Sequence, residues 1–439
     1  SLKDASEQPV GEIMKPWIFG HGHPLVKVEA ISGRRYKISQ QRFFYFKKVR
    51  DESLFQIPII IKAKAGSEIL ERKLLLDSQQ EEIEFPRDVD WLLVNSGGHG
   101  FYRVHYSDFE NLARKEVISK LDTIERFNLV SDSWALAQAG ELSLKQYFRL
   151  IALLSQERDK NVWAIVTSSL KYLSRVIDSS QVTYLQEFVQ KLLKPVLNGL
   201  DWPEVTTGAT RDAEIDQVRA QLIDALGTFG NDKEVEARAH LYFDKYRADK
   251  LSVNAELVPA IINIIGYKGE QSTYDQYVEV FKQTAIPQEQ DRYMYALANF
   301  QSEALLRRTL AMAVDGTVRS QNAPFLVRAV MLNPAGRTIA WQFVKDNWNR
   351  MPDLYPTQLI VRMLEGITGL VSRSWVEDCQ EFFKDKQIST GQKTLEQYLE
   401  KQQVALAMKE RESKVLSVPW SLGRFRPPAG ASRRAPTEG

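Results

Sequence analysis

The run Gly97-Gly98-His99-Gly100-Phe101-Tyr102-Arg103-Val104-His105-Tyr106 separates two kinds of sequence in this chain. Before it, apolar and polar residues alternate in short stretches broken by turn residues. After it, apolar residues recur at helical spacing almost to the C-terminus, with almost no strand pattern. Such a switch constrains the chain to a β-rich unit followed by an α-rich one. Three glycines permit a tight turn into the last strand. In that strand Tyr102, Val104 and Tyr106 fall on one face and Phe101, Arg103 and His105 on the other, because strand side chains alternate. By this pattern alone the run is the buried final strand of a sandwich.

Four stretches follow from the patterning. Residues 1–16 read as a short helical remnant ending at Pro16. Residues 17–106 carry six to eight short strands: Leu25 to Val28, Arg35 to Ser39, an aromatic stretch from Gln41 to Lys47, Phe55 to Ala63, Glu68 to Leu76 and Asp90 to Asn95. Pro58 marks an edge or a bulge, and Lys62 and Lys64 look like protection of a strand edge. Residues 107–420 switch to a period of about 3.6. Val162, Ile165, Val166, Leu170, Leu173, Val176 and Ile177 hold one apolar face. Asp122 and Glu125 are spaced as a capping box, with Gly140 at the far end of that helix. Further helices are predicted over Val218–Phe229, Val235–Tyr246, Tyr274–Thr284, Glu303–Val314, Thr338–Asn347 and Leu395–Met408. No fixed repeat links them. The expected fold is therefore α+β and mostly α, a small β-sandwich followed by an irregular HEAT-like α-solenoid with a concave face. Residues 421–439, rich in Arg, Pro, Ala and Gly, cannot bury a core and are predicted to be disordered.

Composition narrows the function. Lys and Arg number 58 against 56 for Asp and Glu, a net charge of +2, so no strong field points to nucleic acid or to an anionic membrane. The single cysteine, Cys379, excludes an internal disulfide and favours a reducing, cytoplasmic setting. No apolar run approaches a membrane span, and no charged-then-apolar leader opens the chain. Ser1 in place of methionine implies processing, or a piece of something longer.

Catalytic patterns are missing. A zincin places two histidines one helical turn apart on one zinc, with the glutamate of His-Glu-x-x-His activating water. The five histidines are His21, His23, His99, His105 and His240, and no two are four apart. His21-Gly22-His23 offers two ligands without a third. There is no Gly-x-Ser-x-Gly elbow, no phosphate loop and no dinucleotide fingerprint. Cys379 sits among Glu377, Asp378 and Glu381, whose charge raises its pKa. No catalytic and no metal-binding residue is assigned.

The glycine-rich run resembles the Gly-[Tyr/Phe]-Tyr-Arg-Val-x-Tyr signature that joins the β-domain to the helical domain in M1-family zinc aminopeptidases. Two further stretches carry the same resemblance. Arg126-Phe127-Asn128-Leu129-Val130-Ser131-Asp132 matches the first long helix of that family's C-terminal, ERAP1-like domain. Asn333-Pro334-Ala335-Gly336-Arg337 with Trp341, Phe343, Asn347 and Trp348 resembles its late Asn-x-x-Gly-Arg block. Residues 5–28 look like the end of the family's catalytic domain running into its β-domain, with His23 where Tyr is usual. Asn322 stands where Asp is usual, which weakens any charge pair there. The family's Gly-x-Met-Glu-Asn signature is absent.

The resemblance implies the non-catalytic C-terminal region of an M1 zinc aminopeptidase, which encloses the substrate chamber and limits peptide access. The zinc and the glutamate base would lie in a catalytic domain not present here, which would be a partner in cis, with peptides as the other partner. The parent would release N-terminal residues from peptides, and this piece would be inactive. The alternative is a standalone HEAT-like scaffold that binds peptides or proteins.

The marked residues receive interdomain and structural roles. Arg126 and Asp132 are six apart, about 120° around a helix, so each is expected to pair with a neighbouring helix. Gly336 reads as a helix boundary, Arg337 belongs to the same block, and Trp341, Phe343 and Trp348 bring large apolar area to a helix pair. Phe101, Tyr102 and Val104 are expected between sandwich and solenoid. Arg103 either reaches solvent or pins that interface.

Overall fold

The computed structural model describes residues 10–46, 53–200, 202, 212–386, 388 and 390–419. The remnant expected over residues 1–16 lies partly outside the described residues, and the basic tail wholly so.

The first described element is the helix Val10–Phe19, which runs through Pro16 where the sequence reading ended it. Proline's fixed φ is compatible with a helix, and the Pro16 carbonyl still accepts from Gly20 N at 3.0 Å. Trp17 ties this helix to the sandwich. Its ring lies 5.0 Å from that of Phe55, and its Nε1 donates to the Gln56 carbonyl at 3.2 Å.

Seven strands follow: β1 (Pro24–Ala30), β2 (Arg35–Arg42), β3 (Ile57–Ala65), β4 (Glu68–Leu76), β5 (Gln80–Glu84), β6 (Trp91–Val94) and β7 (Arg103–Tyr106). They form a sheet in the order β5-β2-β1-β7 and a second in the order β4-β3-β6. β7 pairs parallel to β1, with Leu25 opposite Arg103 and Val28 opposite Tyr106, while the other pairs are antiparallel. Alternation sets the core: Ile57, Ile59, Ile61, Ala63 and Ala65 are all buried along β3. β5 was invisible to the sequence reading, because only Ile83 of Gln-Glu-Glu-Ile-Glu is buried.

Of two expectations about β3, one changes. Pro58 does sit where β3 has only one neighbour, since β6 pairs only with Ile61 to Lys64. Lys62, however, is not edge protection. β3 is the central strand of its sheet, and Lys62 points across to the helical region.

The helical region is built of packed pairs. An inner row comprises Thr123–Ala139, Lys160–Val176, Ala213–Gly227, Val258–Lys268, Pro287–Leu297 and Ala323–Leu332, each in contact with the next. Lys233–Ala248, Gln271–Gln283, Glu303–Ala311 and Arg337–Asn347 pack outside it. The predicted capping box is present at Asp122 and Glu125, and Gly140 ends that helix in the left-handed conformation at φ 80°. The fully apolar face of Lys160–Val176 buries Val162, Trp163, Val166, Leu170 and Leu173. At roughly 1.5–3 kcal/mol per buried side chain, such faces hold the rows together.

The helical array closes on itself. The long helix Gln392–Arg411 packs against the Leu364–Gly369 turn and then against Thr123–Ala139 and Lys160–Val176, where the row began. Arg411 Nη2 donates to the Ala137 carbonyl at 2.7 Å, capping the first inner helix from 274 residues away. Lys409 Nζ reaches Asp178 at 2.6 Å, and Gln181 Nε2 donates to Ser417 Oγ at 3.0 Å.

Candidate functional site

The sandwich meets the helices through charges made complementary across the seam. Gly97 and Gly98 turn the chain at φ 72° and 70°, a conformation that only glycine adopts readily, and so deliver β7 against the Thr123–Ala139 helix. Arg103 Nη1 donates to Asp132 Oδ1 at 3.1 Å and to the Ser131 carbonyl at 3.2 Å, while the Val104 amide donates to Asp132 Oδ2 at 3.0 Å. The Arg103 guanidinium also lies over the Phe43 ring. Burial pushes the Asp132 carboxyl up to about 7, against the opposing pull of Arg103 and the Val104 amide.

One turn away, Glu125 is 2% exposed and accepts from Lys62 Nζ at 2.5 Å, Ser96 Oγ at 2.9 Å, Gly97 N at 3.2 Å and Asp122 N at 3.0 Å. Burial raises its pKa, but Lys62 and the three neutral donors outweigh that and hold it below the usual carboxylate range. Between these carboxylates, Asn95 and Asn128 help line a void of about 10 Å³, room for about one water. Tyr106 joins the two sheets: its hydroxyl accepts from Val94 N at 2.9 Å.

Tyr102 and Val104 are buried at this junction as expected, but Phe101 is 75% exposed. Phe101 precedes the first paired residue of β7, so its ring turns outward and leans on His23, which in turn stacks on Phe43. His23 is thus in an aromatic cluster; burial and the nearby Arg103 lower its pKa.

Of the remaining marked residues, Arg126 binds Glu157 with two nitrogens, at 2.5 and 3.2 Å, and its Nη1 donates to the Leu121 carbonyl at 2.6 Å. It therefore pairs with the loop before the next inner helix. Asp132 does not pair with a helix, as expected from sequence, but with β7. Gly336 precedes the Arg337–Asn347 helix, and a Cβ there would come within 2.6 Å of the Val330 carbonyl. Arg337 Nη1 donates to the carbonyls of Arg175, 162 residues away, and of Gly369, each at 2.9 Å. Trp341 is fully buried, with its Nε1 on Asp378, and Trp348 packs 5.5 Å from both Phe382 and Phe383. Asn322 donates to Asp291 at 3.1 Å, so the amide fits where an aspartate would repel.

Inside the closed array lies a cavity of about 450 Å³. One wall carries Lys171 and Arg175, and the other carries Tyr295, Asn299 and Arg328. Burial lowers the pKa of Arg175; Glu365 opposes the shift, and Arg337 and Arg328 add to it. Arg328 is paired with Glu365 at 2.8 Å, whereas the Arg175 guanidinium has no hydrogen-bond partner among the described residues. The sequence reading missed these cations, because they come together only when distant helices curl round.

The residues present do not fit a catalytic zinc. No group of three or more His, Cys, Asp or Glu among the described residues could hold a metal ion. Cys379 is buried, and burial pushes its thiol up to about 12, far from a reactive thiolate. Among the described residues no helix is long and apolar enough to cross a membrane.

Comparison with known proteins agrees with this architecture. Residues 91–404 match the ERAP1-like C-terminal domain, a span that begins at β6 and so includes β7 and the helical side of the seam. The chain is 24% identical over 419 residues to aminopeptidase M1-A of Oryza sativa, covering 91% of this chain and 47% of that protein. It is 24% identical over 409 residues to leucyl aminopeptidase of Saccharolobus solfataricus, covering 91% and 48%. Against glutamyl aminopeptidase of Mus musculus it is 26% identical over 370 residues, covering 80% and 38%. The chain thus spans about half the length, or less, of the curated relatives it matches. It belongs to the ERAP1-like C-terminal domain family and corresponds to the C-terminal part of M1 aminopeptidases.

Proposed function

We propose that this chain serves an M1-type zinc aminopeptidase as its non-catalytic region, its helical array walling the substrate chamber and limiting which peptides enter. The observation that carries this reading is the cavity inside the closed array, with Lys171, Arg175 and Arg328 set to meet a peptide's carboxylates. In this reading residues 17–106 are one domain and residues 107–420 another. The eight marked residues, Tyr102, Arg103, Arg126, Asp132, Gly336, Arg337, Trp341 and Trp348, hold those domains together or hold the array in shape. Zinc and the glutamate base belong to a catalytic domain joined in cis, and a cytoplasmic setting accords with the single buried Cys379.

Exposed apolar side chains support a docking face for that catalytic domain at the sandwich end. Ile18 is 64%, Phe19 78% and Phe101 75% exposed, at the sandwich end that carries the first helix. The test mixes the chain with an M1 catalytic region bearing His-Glu-x-x-His. A complex on size-exclusion chromatography is expected, weakened by Phe19→Ser and Phe101→Ser. A chain that stays monomeric beside this partner would overturn the docking. The chain alone should hydrolyse no aminoacyl reporter, and a stoichiometric zinc with an EDTA-sensitive activity would refute the assigned role.

A further inference from the structure

The cavity does not end at Arg328. A second hollow of about 500 Å³ lies along the same inner helices, and Asn263 and Tyr295 line both. A row of polar side chains crosses the floor, one from each successive inner helix: Asp224, Asn263 and, just past Pro287–Leu297, Asn299. Asn263 Nδ2 donates to Asp224 Oδ1, and Asn299 Nδ2 donates to Asn263 Oδ1. All three are half-buried and line the hollows.

These bonds use only part of what each group offers. Among the described residues, Asp224 keeps one carboxylate oxygen unpaired, Asn263 one N–H and Asn299 its carbonyl oxygen, an acceptor, a donor and an acceptor in a row. The Tyr295 hydroxyl, in a side chain 38% exposed, has no hydrogen-bond partner among the described residues and stands beside them. Each amide is held by its neighbours, so little rotamer freedom remains to be lost on binding.

We propose that this ladder binds the main chain of an extended peptide laid across the inner helices, pairing with its N–H and C=O groups rather than its side chains. The proposal rests on the peptide-facing reading above and specifies how that surface recognises its ligand. Rungs joined by a hydrogen bond lie about 5 Å apart, and an extended chain advances about 3.3 Å per residue. Successive rungs are therefore met within about two residues, and the ladder spans about three or four. Main-chain pairing makes the surface tolerant of sequence, while the cations at one end add a preference for negative charge.

The test uses an alanine- and glycine-based octapeptide with an N-terminal fluorophore, titrated against the chain to millimolar concentration by anisotropy. Methylating alternate main-chain nitrogens should weaken binding about tenfold, as should Asn263→Leu or Asn299→Leu in the protein, the scale of one lost hydrogen bond. On Asn299→Leu, which removes one acceptor for a peptide N–H, methylation should weaken binding by a smaller factor than on the unaltered chain. Arg175→Gln should weaken binding by a separate factor that is the same for both peptides. If methylation and the asparagine variants change nothing while Arg175→Gln still weakens binding, the ladder is wrong and the peptide-facing surface stands. If no peptide binds, both fall. Should the asparagine variants fail to fold by circular dichroism, the methylated peptides on the unaltered chain decide alone.

Discussion

The seam between sandwich and helices and the cavity inside the array use the same charged residue types to opposite ends. At the seam, Lys62 and Glu125, and Arg103 and Asp132, face each other within 3.1 Å, and backbone donors fill the remaining acceptors. In the cavity, Arg328 is paired with Glu365, while the Arg175 guanidinium has no hydrogen-bond partner among the described residues. A buried charge that is paired and hydrogen-bonded holds two parts of a protein in register. Charges left uncompensated at a hollow cost stability and are available to a ligand. The lesson is that the partner, not the residue, decides whether a charge is structural.

The sharpest way to break this contrast is to empty one side of the seam. Glu125→Ala leaves Lys62 and three other donors without their acceptor, and should cost about 3–5 kcal/mol, the scale for breaking a buried pair. Denaturant melts measure it, and a loss below about 0.5 kcal/mol, that of a surface change, would make the seam no different from the cavity. Close behind, Tyr102→Ala should cost about 3 kcal/mol or more, the scale for a buried aromatic. Its neighbour Phe101→Ala should stay within about 0.5 kcal/mol in the isolated chain.

A pH series sharpens the comparison further. The carboxyl of Asp132 titrates at about 7 in the fold and at about 3.9 in an unfolded chain. Between those values the native state holds the extra proton, so the group's stabilising contribution is complete at the acid end and is lost as pH rises through 7. Relative to Asp132→Asn, the native chain should therefore lose stability between about pH 4 and pH 7. A flat difference in melts across that range would mean that Asp132 stays ionised throughout. Glu125 has the opposite sign, its contribution being present above its unfolded value and lost on acidification.

The latch closing the array comes next. Arg411→Ala removes the cap on Ala137 and should cost about 1.5–3 kcal/mol, as for a hydrogen bond to a charged group. Hydrogen exchange should quicken in Gln392–Arg411 before it does in the sandwich; uniform protection would show that the latch does not open apart from the rest of the fold. The smallest effect is reserved for the cavity. Arg175→Gln should change stability by no more than about 0.5 kcal/mol, because it removes one of several like charges rather than half of a pair. A loss on the scale of Glu125→Ala would erase the distinction.

Much of this molecule was legible in its residues. The period change after Tyr106, the capping box at Asp122 and Glu125, and the alternation that buries Tyr102, Val104 and Tyr106 are local properties, set by backbone geometry within a few residues. The late block around Gly336 and Trp341 was recognisable because close backbone approach and a buried ring restrict what each position accepts. β5 escaped because a strand with one buried residue has no alternation to detect. Lys62 was misjudged because its partner lies 63 residues away.

Sequence by itself determined the two kinds of secondary structure, their order, the family block and the want of a zinc motif. Tertiary structure decided that the helical row bends until Arg411 reaches Ala137, that Glu125 is the hub of the seam, and that Arg175, Arg328 and the Asp224–Asn263–Asn299 row face two adjoining hollows. The physical reason is range. Helix and strand preferences are settled between near neighbours along the chain, whereas a cavity is the sum of small rotations between packed helices, and no single stretch of residues encodes that sum.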